Sequence, residues 1–180
     1  MTFLKKFSYL FLASVLLFAC EPTPPPQPDC TNCPTVNFSG HLELQMLSTH
    51  PVEYEPVLQL SVSYEGSGTS NMMPQFSLNT SHVEEVPDNQ TEFKIQEGSF
   101  ELQGDGDDRI FGFYSGQGYQ IPGNSNVTWY FSIEGGSGKF LDASGTMSVS
   151  ISDKNKSRWN PEQPLQAQIT GVVRLPDDES

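Results

Sequence analysis

A chain of 180 residues with nine basic and 22 acidic side chains carries a formal net charge of −13, which opposes binding to nucleic acid or to anionic head groups. Aromatic residues make up 11% of it, too many for a disordered chain, and its length suits one domain with a real core. The negative charge fits a solvated exterior; it permits Ca²⁺ or cationic ligands without implying either.

The first residues read as a targeting signal. Lys5 and Lys6 supply a positive n-region, and residues 7–19 form an apolar run of about 13, within the signal-peptide range and short of the ~20 that span a bilayer. The run ends Leu17-Phe18-Ala19-Cys20, which resembles the bacterial lipobox, with Phe18 bulkier than the small residue usual there. Residues 1–19 are therefore expected to be a lipoprotein signal peptide, with an uncleaved anchor or plain signal peptide as the alternatives. Cys20 would carry the lipid, since two or three acyl chains at ~0.8 kcal/mol per buried methylene hold a protein to a membrane. The expected location is a bacterial cell envelope, at the outer membrane. Loss of Lys5 and Lys6 with the signal takes the net charge from −13 to −15.

Residues 20–34 read as a tether. Glu21-Pro22-Thr23-Pro24-Pro25-Pro26-Gln27-Pro28 has few backbone donors and fixed φ angles, so it predicts polyproline II at ~3.1 Å per residue. Cys30 and Cys33 form Cys-Thr-Asn-Cys ahead of Pro34. In an oxidising envelope a local disulfide is the expectation. A redox site would need a βαβ context, haem attachment a following His, and structural zinc two further ligands.

From 35 to 176 the apolar residues recur with period two. Val36, Phe38, Gly40, Leu42, Leu44 and Met46 alternate with polar residues, as do Leu58, Leu60, Val62 and Tyr64. Shorter runs follow at Phe76–Leu78, Phe93–Ile95 and Phe100–Leu102. Ile110–Tyr114 is apolar on both faces, as a strand packed on both sides would be. Then come Val127–Ile133, Met147–Ile151 and Leu165–Leu175. Gly, Pro, Asn and Asp punctuate the breaks, and no helix-period face of ten residues occurs. The fold class is all-β: eight or nine strands with one apolar face must close on themselves as an antiparallel barrel, or pair as a sandwich. Residues 177–180 are an acidic tail.

The stretch Phe131-Ser132-Ile133-Glu134-Gly135-Gly136-Ser137-Gly138-Lys139-Phe140-Leu141-Asp142-Ala143-Ser144-Gly145 resembles the strand–turn–strand signature of allene oxide cyclase-like and dirigent-like barrels, with Ser137 where Thr is usual. Upstream, Gly98-Ser99-Phe100-Glu101-Leu102 and the run from Gly104 through Ile110-Phe111-Gly112-Phe113-Tyr114-Ser115-Gly116 are similar to the strand, Gly-Asp turn and Gly-x-Tyr-x-Gly strand of those proteins. The resemblance covers half to two-thirds of the domain in pattern. It implies an antiparallel barrel of about eight strands around a cavity that is often apolar. It delivers no activity, and no functional residue of either branch carries over. By itself, the glycine set Gly135, Gly136, Gly138 and Gly145 predicts a tight, re-aimed connection; a phosphate cradle would need a following helix, and Met147 onward reads as a strand.

The candidate constellations are modest. Gly104-Asp105-Gly106-Asp107-Asp108 gathers three carboxylates but lacks the spacing of an EF-hand, so a hairpin turn is expected rather than calcium. Glu134 falls on the outward face, and Glu84-Glu85 after His82 reads as a solvated pair in a loop. His41, His50 and His82 have no nucleophile partner and no metal-binding spacing, so no catalytic residue, metal or cofactor is assigned. Phe111, Phe113, Trp129, Phe131 and Phe140 are expected to face inward, filling a core or lining an apolar cavity. The expected partners are a membrane, an apolar small molecule or another envelope component, and a second copy of the chain. Enzyme status stays open, with a non-enzymatic binding lipoprotein preferred over a packed interaction module or a cyclase-like enzyme.

Overall fold

The computed structural model describes residues 33–53, 57–87, 91–121, 124–153 and 163–176. The expected signal peptide, Cys20, Cys30, most of the tether and the acidic tail lie outside them. The described elements are β1 (Thr35–Glu53), β2 (Leu58–Ser70), β3 (Phe76–Val86), β4 (Glu92–Gln103), β5 (Arg109–Ile121), β6 (Asn124–Ser137), a single 3-10 turn (Gly138–Phe140), β7 (Ser144–Asp153) and β8 (Leu165–Arg174). Each strand pairs antiparallel with the next in sequence. β8 returns to β1 in register from Thr35↔Arg174 to Leu44↔Leu165, which closes the barrel. The closed-barrel expectation is correct, and the sandwich falls away.

Period two is what makes closure favourable. In β3 and β8 alternate residues are buried, and the buried set of all eight strands forms one core, from Phe38 and Leu42 through Leu102, Trp129 and Phe131 to Ile169 and Val173. The outward positions are wet: Gln166, Gln168 and Thr170 on β8 are exposed. A barrel that faces lipid has the opposite pattern, apolar outside and polar within. This wall is built for water.

Three expectations need correction. The runs at Phe93–Ile95 and Phe100–Leu102 are one strand, β4. The register slips between Ile95 and Gly98, and Glu97 takes φ +52°, so the inward parity jumps from odd to even across a bulge. Ile110–Tyr114 is not buried on both sides: Ile110 and Tyr114 point inward while Phe111 and Phe113 stand on the outer wall. The His82–Glu85 segment is no loop but the second half of β3, with His82 and Glu84 inside.

The glycine-rich segment re-aims the chain as expected. β6 runs on through Gly135 and Gly136, the 3-10 turn starts at Gly138 with φ +62°, and β7 follows with Gly145 at φ +136°. At Gly138 a side chain would be strained and would crowd Asp107 and Asp108. The turn drops Phe140, fully buried, into the core. Because neighbours alternate in direction, this connection shares one end of the barrel with the start of β1 and the end of β8. We call that the near end; the far end carries the β2–β3–β4–β5–β6 termini at 58, 86, 92, 121 and 124.

Candidate functional site

Inside the barrel lies a polar cluster that the sequence pattern hid. His82 and Glu84 both have fully buried side chains, with Nε2 and Oε1 3.0 Å apart. On its other side His82 Nδ1 lies 2.5 Å from the Tyr114 hydroxyl. Burial holds the Tyr114 phenol well above the usual tyrosine range, so it stays protonated and donates. One arrangement then satisfies all three groups: Tyr114 O–H to Nδ1, and Nε2–H to the Glu84 carboxyl. The bulge makes room for it. A Cβ on Gly98 would sit 2.7 Å from the Tyr114 ring, so glycine there lets the ring reach across to His82.

Aromatic faces complete the surroundings. Tyr64 stacks on the His82 ring at 6.0 Å, Trp129 meets it edge-on at 5.9 Å, and Phe100 stacks on Phe131 at 4.1 Å. Two buried atoms, Thr80 Oγ1 and Trp129 Nε1, have no hydrogen-bond partner among the described residues. Thr80 does lie near enough to Tyr114 to offset its shift slightly, but without hydrogen-bond geometry. Trp129, Phe131 and Phe140 thus face inward as expected, and they fill space.

The outer wall over β3–β6 carries two open grooves. One, of about 640 Å³, crosses the strands along the register Tyr64↔Thr80↔Phe100↔Gly112 and is bordered by Asn79, Ser81, Ser99, Phe111 and Phe113. Phe113 is 63% exposed and Phe111 43%, with Tyr130 beside them on β6 at 51%. The second groove, of about 560 Å³, lies at the far end. It follows the register Glu85↔Lys94↔Gln117↔Thr128, edged by Glu92, Tyr119 and Asn126.

At the near end the acidic turn is closed on itself. Gly104 N–H donates to Asp108 O at 2.8 Å, and the Asp108 carboxylate takes the Lys139 ammonium at 2.6 Å and the Lys139 amide at 3.0 Å. The Lys139 side chain holds the Asp108 carboxyl below the usual aspartate range. Ser137 Oγ donates to Asp107 O at 2.5 Å. The glycine-rich connection is therefore strapped to the β4–β5 turn. Among the described residues no three His, Cys, Asp or Glu side chains converge as a metal donor set. Glu134 is exposed on β6, and His41 and His50 are exposed on β1. Cys33 is disulfide-bonded; its expected partner Cys30 lies outside the described residues.

The chain matches no known family model and no curated protein sequence.

Proposed function

We propose that this chain is a lipid-anchored envelope protein, related to the allene oxide cyclase-like and dirigent-like barrels, that binds another envelope component on the outer wall of β3–β6 rather than turning over a substrate. The exposed aromatic row Phe111, Phe113 and Tyr130 between two grooves carries the reading. Three large rings on adjacent strands are costly to leave in water, and patches of this kind mark interaction sites. The barrel axis, by contrast, is occupied by stacked rings. The lipobox at Leu17–Cys20 and the proline-rich tether supply the anchor.

The anchor and the wall are tested together in the native host. Cys20→Ala moves the protein from the detergent fraction to the aqueous fraction. A photo-crosslinking residue at position 113 or 117 gives an adduct, while one at Gln168 on the opposite wall gives none. Adducts from 168 alone, or from no position, overturn the wall; an adduct of twice the chain's mass assigns it to self-association.

A second reading is favoured by the unpartnered Thr80 and Trp129 atoms: a small ligand held inside the barrel beside them, with aromatic rings around it. That reading expects a bound mass in native mass spectrometry of the protein purified gently from its host, and a bare chain mass removes it.

A further inference from the structure

We infer that the larger wall groove receives a stretched basic segment of an envelope protein, with Lys or Arg at every third position, an inference that rests on the outer-wall reading and names its partner's chemistry. The groove, of about 640 Å³, lies between two cross-strand rows of unlike chemistry. On its far-end side Ser63, Ser81, Ser99 and Phe113 stand in register; on its near-end side stand Glu65, Asn79, Glu101 and Phe111. Each row crosses from β2 to a phenylalanine on β5, three strand spacings or ~14 Å.

The serine bank is short and chemically closed. Ser63 bonds Ser48 at 2.7 Å and Ser81 bonds Ser99 at 3.2 Å, so their hydroxyls are satisfied and their side chains leave the trench open. The other bank is anionic. Glu65 and Glu101 lie two strand spacings apart, ~10 Å, and Glu134 lines the groove beyond Phe111 and Phe113. Arg109 reaches Glu101 only at 4.0 Å, with both side chains nearly half exposed, a weak pair that an incoming cation can share. A polyproline II chain has three residues per turn at ~3.1 Å each, so side chains three apart project from one side at ~9 Å. That repeat matches the carboxylate interval.

The rings add a second attraction for the same partner. Phe111 and Phe113 are well exposed, and Tyr130 stands diagonal to Phe113, whose direct neighbour on β6 is Ser132. A guanidinium or ammonium held between these faces and Glu134 gains cation–π attraction together with an ion pair. The charge of the wall is also lopsided. Glu65, Glu85, Glu92, Glu97, Glu101 and Glu134 face outward from β2–β6, against Lys94 and Arg109, whereas residues 146–150 of β7 and 166–174 of β8 contain no carboxylate. The strongly negative chain thus concentrates its field on the side that carries the rings, which draws a basic partner there and repels an acidic one.

The test is fluorescence anisotropy of a fluorescein-labelled, proline-rich peptide with arginine at every third position, titrated with the full mature chain carrying Cys20→Ala. A counterpart with glutamate in place of arginine is the comparison. The basic peptide binds at least tenfold tighter than the acidic one and is released by high salt. Glu101→Gln and Phe113→Ala, both at solvent-facing positions, each weaken it threefold or more. Glu92→Gln, which removes the same charge at the far end of β4, leaves it unchanged. Equal binding of the two peptides overturns the basic partner, and so does a Glu92→Gln loss as large as that of Glu101→Gln, because net charge alone then explains the attraction. Equal binding of a peptide whose arginines are consecutive overturns the match of spacing. An adduct from position 113 in the host with no preference for the basic peptide overturns the partner's chemistry and keeps the wall. Absence of both overturns the wall as well.

Discussion

Removing Glu84 alone should cost more than removing it together with His82. The two side chains are fully buried and 3.0 Å apart. Glu84→Leu strips the acceptor from His82 Nε2–H in the middle of an aromatic core. Leaving one member of a buried pair behind costs ~3–5 kcal/mol, a large share of the ~7–15 expected for a domain of this size. His82→Leu takes a partner from Glu84 and from the Tyr114 hydroxyl at once, with a cost of the same order. The double variant leaves only the Tyr114 hydroxyl newly unsatisfied, ~1–3 kcal/mol. The double variant should therefore lose less than Glu84→Leu alone, and at least about 3 kcal/mol less than the two singles combined, the signature of a coupled pair. Urea unfolding followed by fluorescence of buried Trp129 reads this directly. With a slope of ~2 kcal/mol/M, each single variant shifts the midpoint down by ~1.5 M or more, at constant slope. Additive losses, or a Glu84→Leu shift below ~0.5 M, would refute the buried relay.

Two further outcomes follow from the near end. Phe140→Ala removes a fully buried ring from the 3-10 turn and should lower stability by ~3–5 kcal/mol in the same assay; a loss under ~1 kcal/mol would mean that the turn is not part of the core. Asp108→Asn removes the carboxylate that Lys139 clasps, worth ~0.5–1 kcal/mol because the Lys139 side chain is half exposed. Since the folded pKa of Asp108 lies below the ordinary 3.8, that contribution is fully present above 3.8 and is lost as the pH falls through the folded value. The gap between parent and variant, measured by thermal unfolding, should close toward pH 2; a pH-independent gap contradicts the clasp.

Wherever inward residues are apolar, the strands were legible, as in Val36–Met46, Val127–Ile133 and Leu165–Leu175. The candidate sites were less so, for two related reasons. Apolarity alone does not mark the inside. The inward row of β3 runs Phe76, Leu78, Thr80, His82, Glu84, Val86, and three polar residues in succession read as a loop although the parity never breaks. The reverse happened in β5. Its inward row is Ile110, Gly112, Tyr114, and the two phenylalanines beside them, which apolarity alone places inside, face water. Glycine at 112, 116 and 118, all of one parity with Tyr114, was the available signal. The bulge at Glu97–Gly98 leaves none, because it breaks the period-two pattern within β4. The far-end groove is a property of register, and no single strand contains it.

The return of β8 to β1 sets the order in which the molecule can be made. Seven of the eight strand pairings join neighbours in sequence and can form as the chain lengthens; the eighth joins Thr35–Leu44 to Leu165–Arg174, more than a hundred residues apart. Until the last ten strand residues arrive, β1 and β7 are open edges that invite pairing with other chains, and no closed core exists to resist it. Closure is accordingly the slow, non-local event. A ribosome or export channel that releases the C-terminus late keeps the two edges apart in time, and a chain stopped before Leu165 should be an aggregate rather than a smaller barrel.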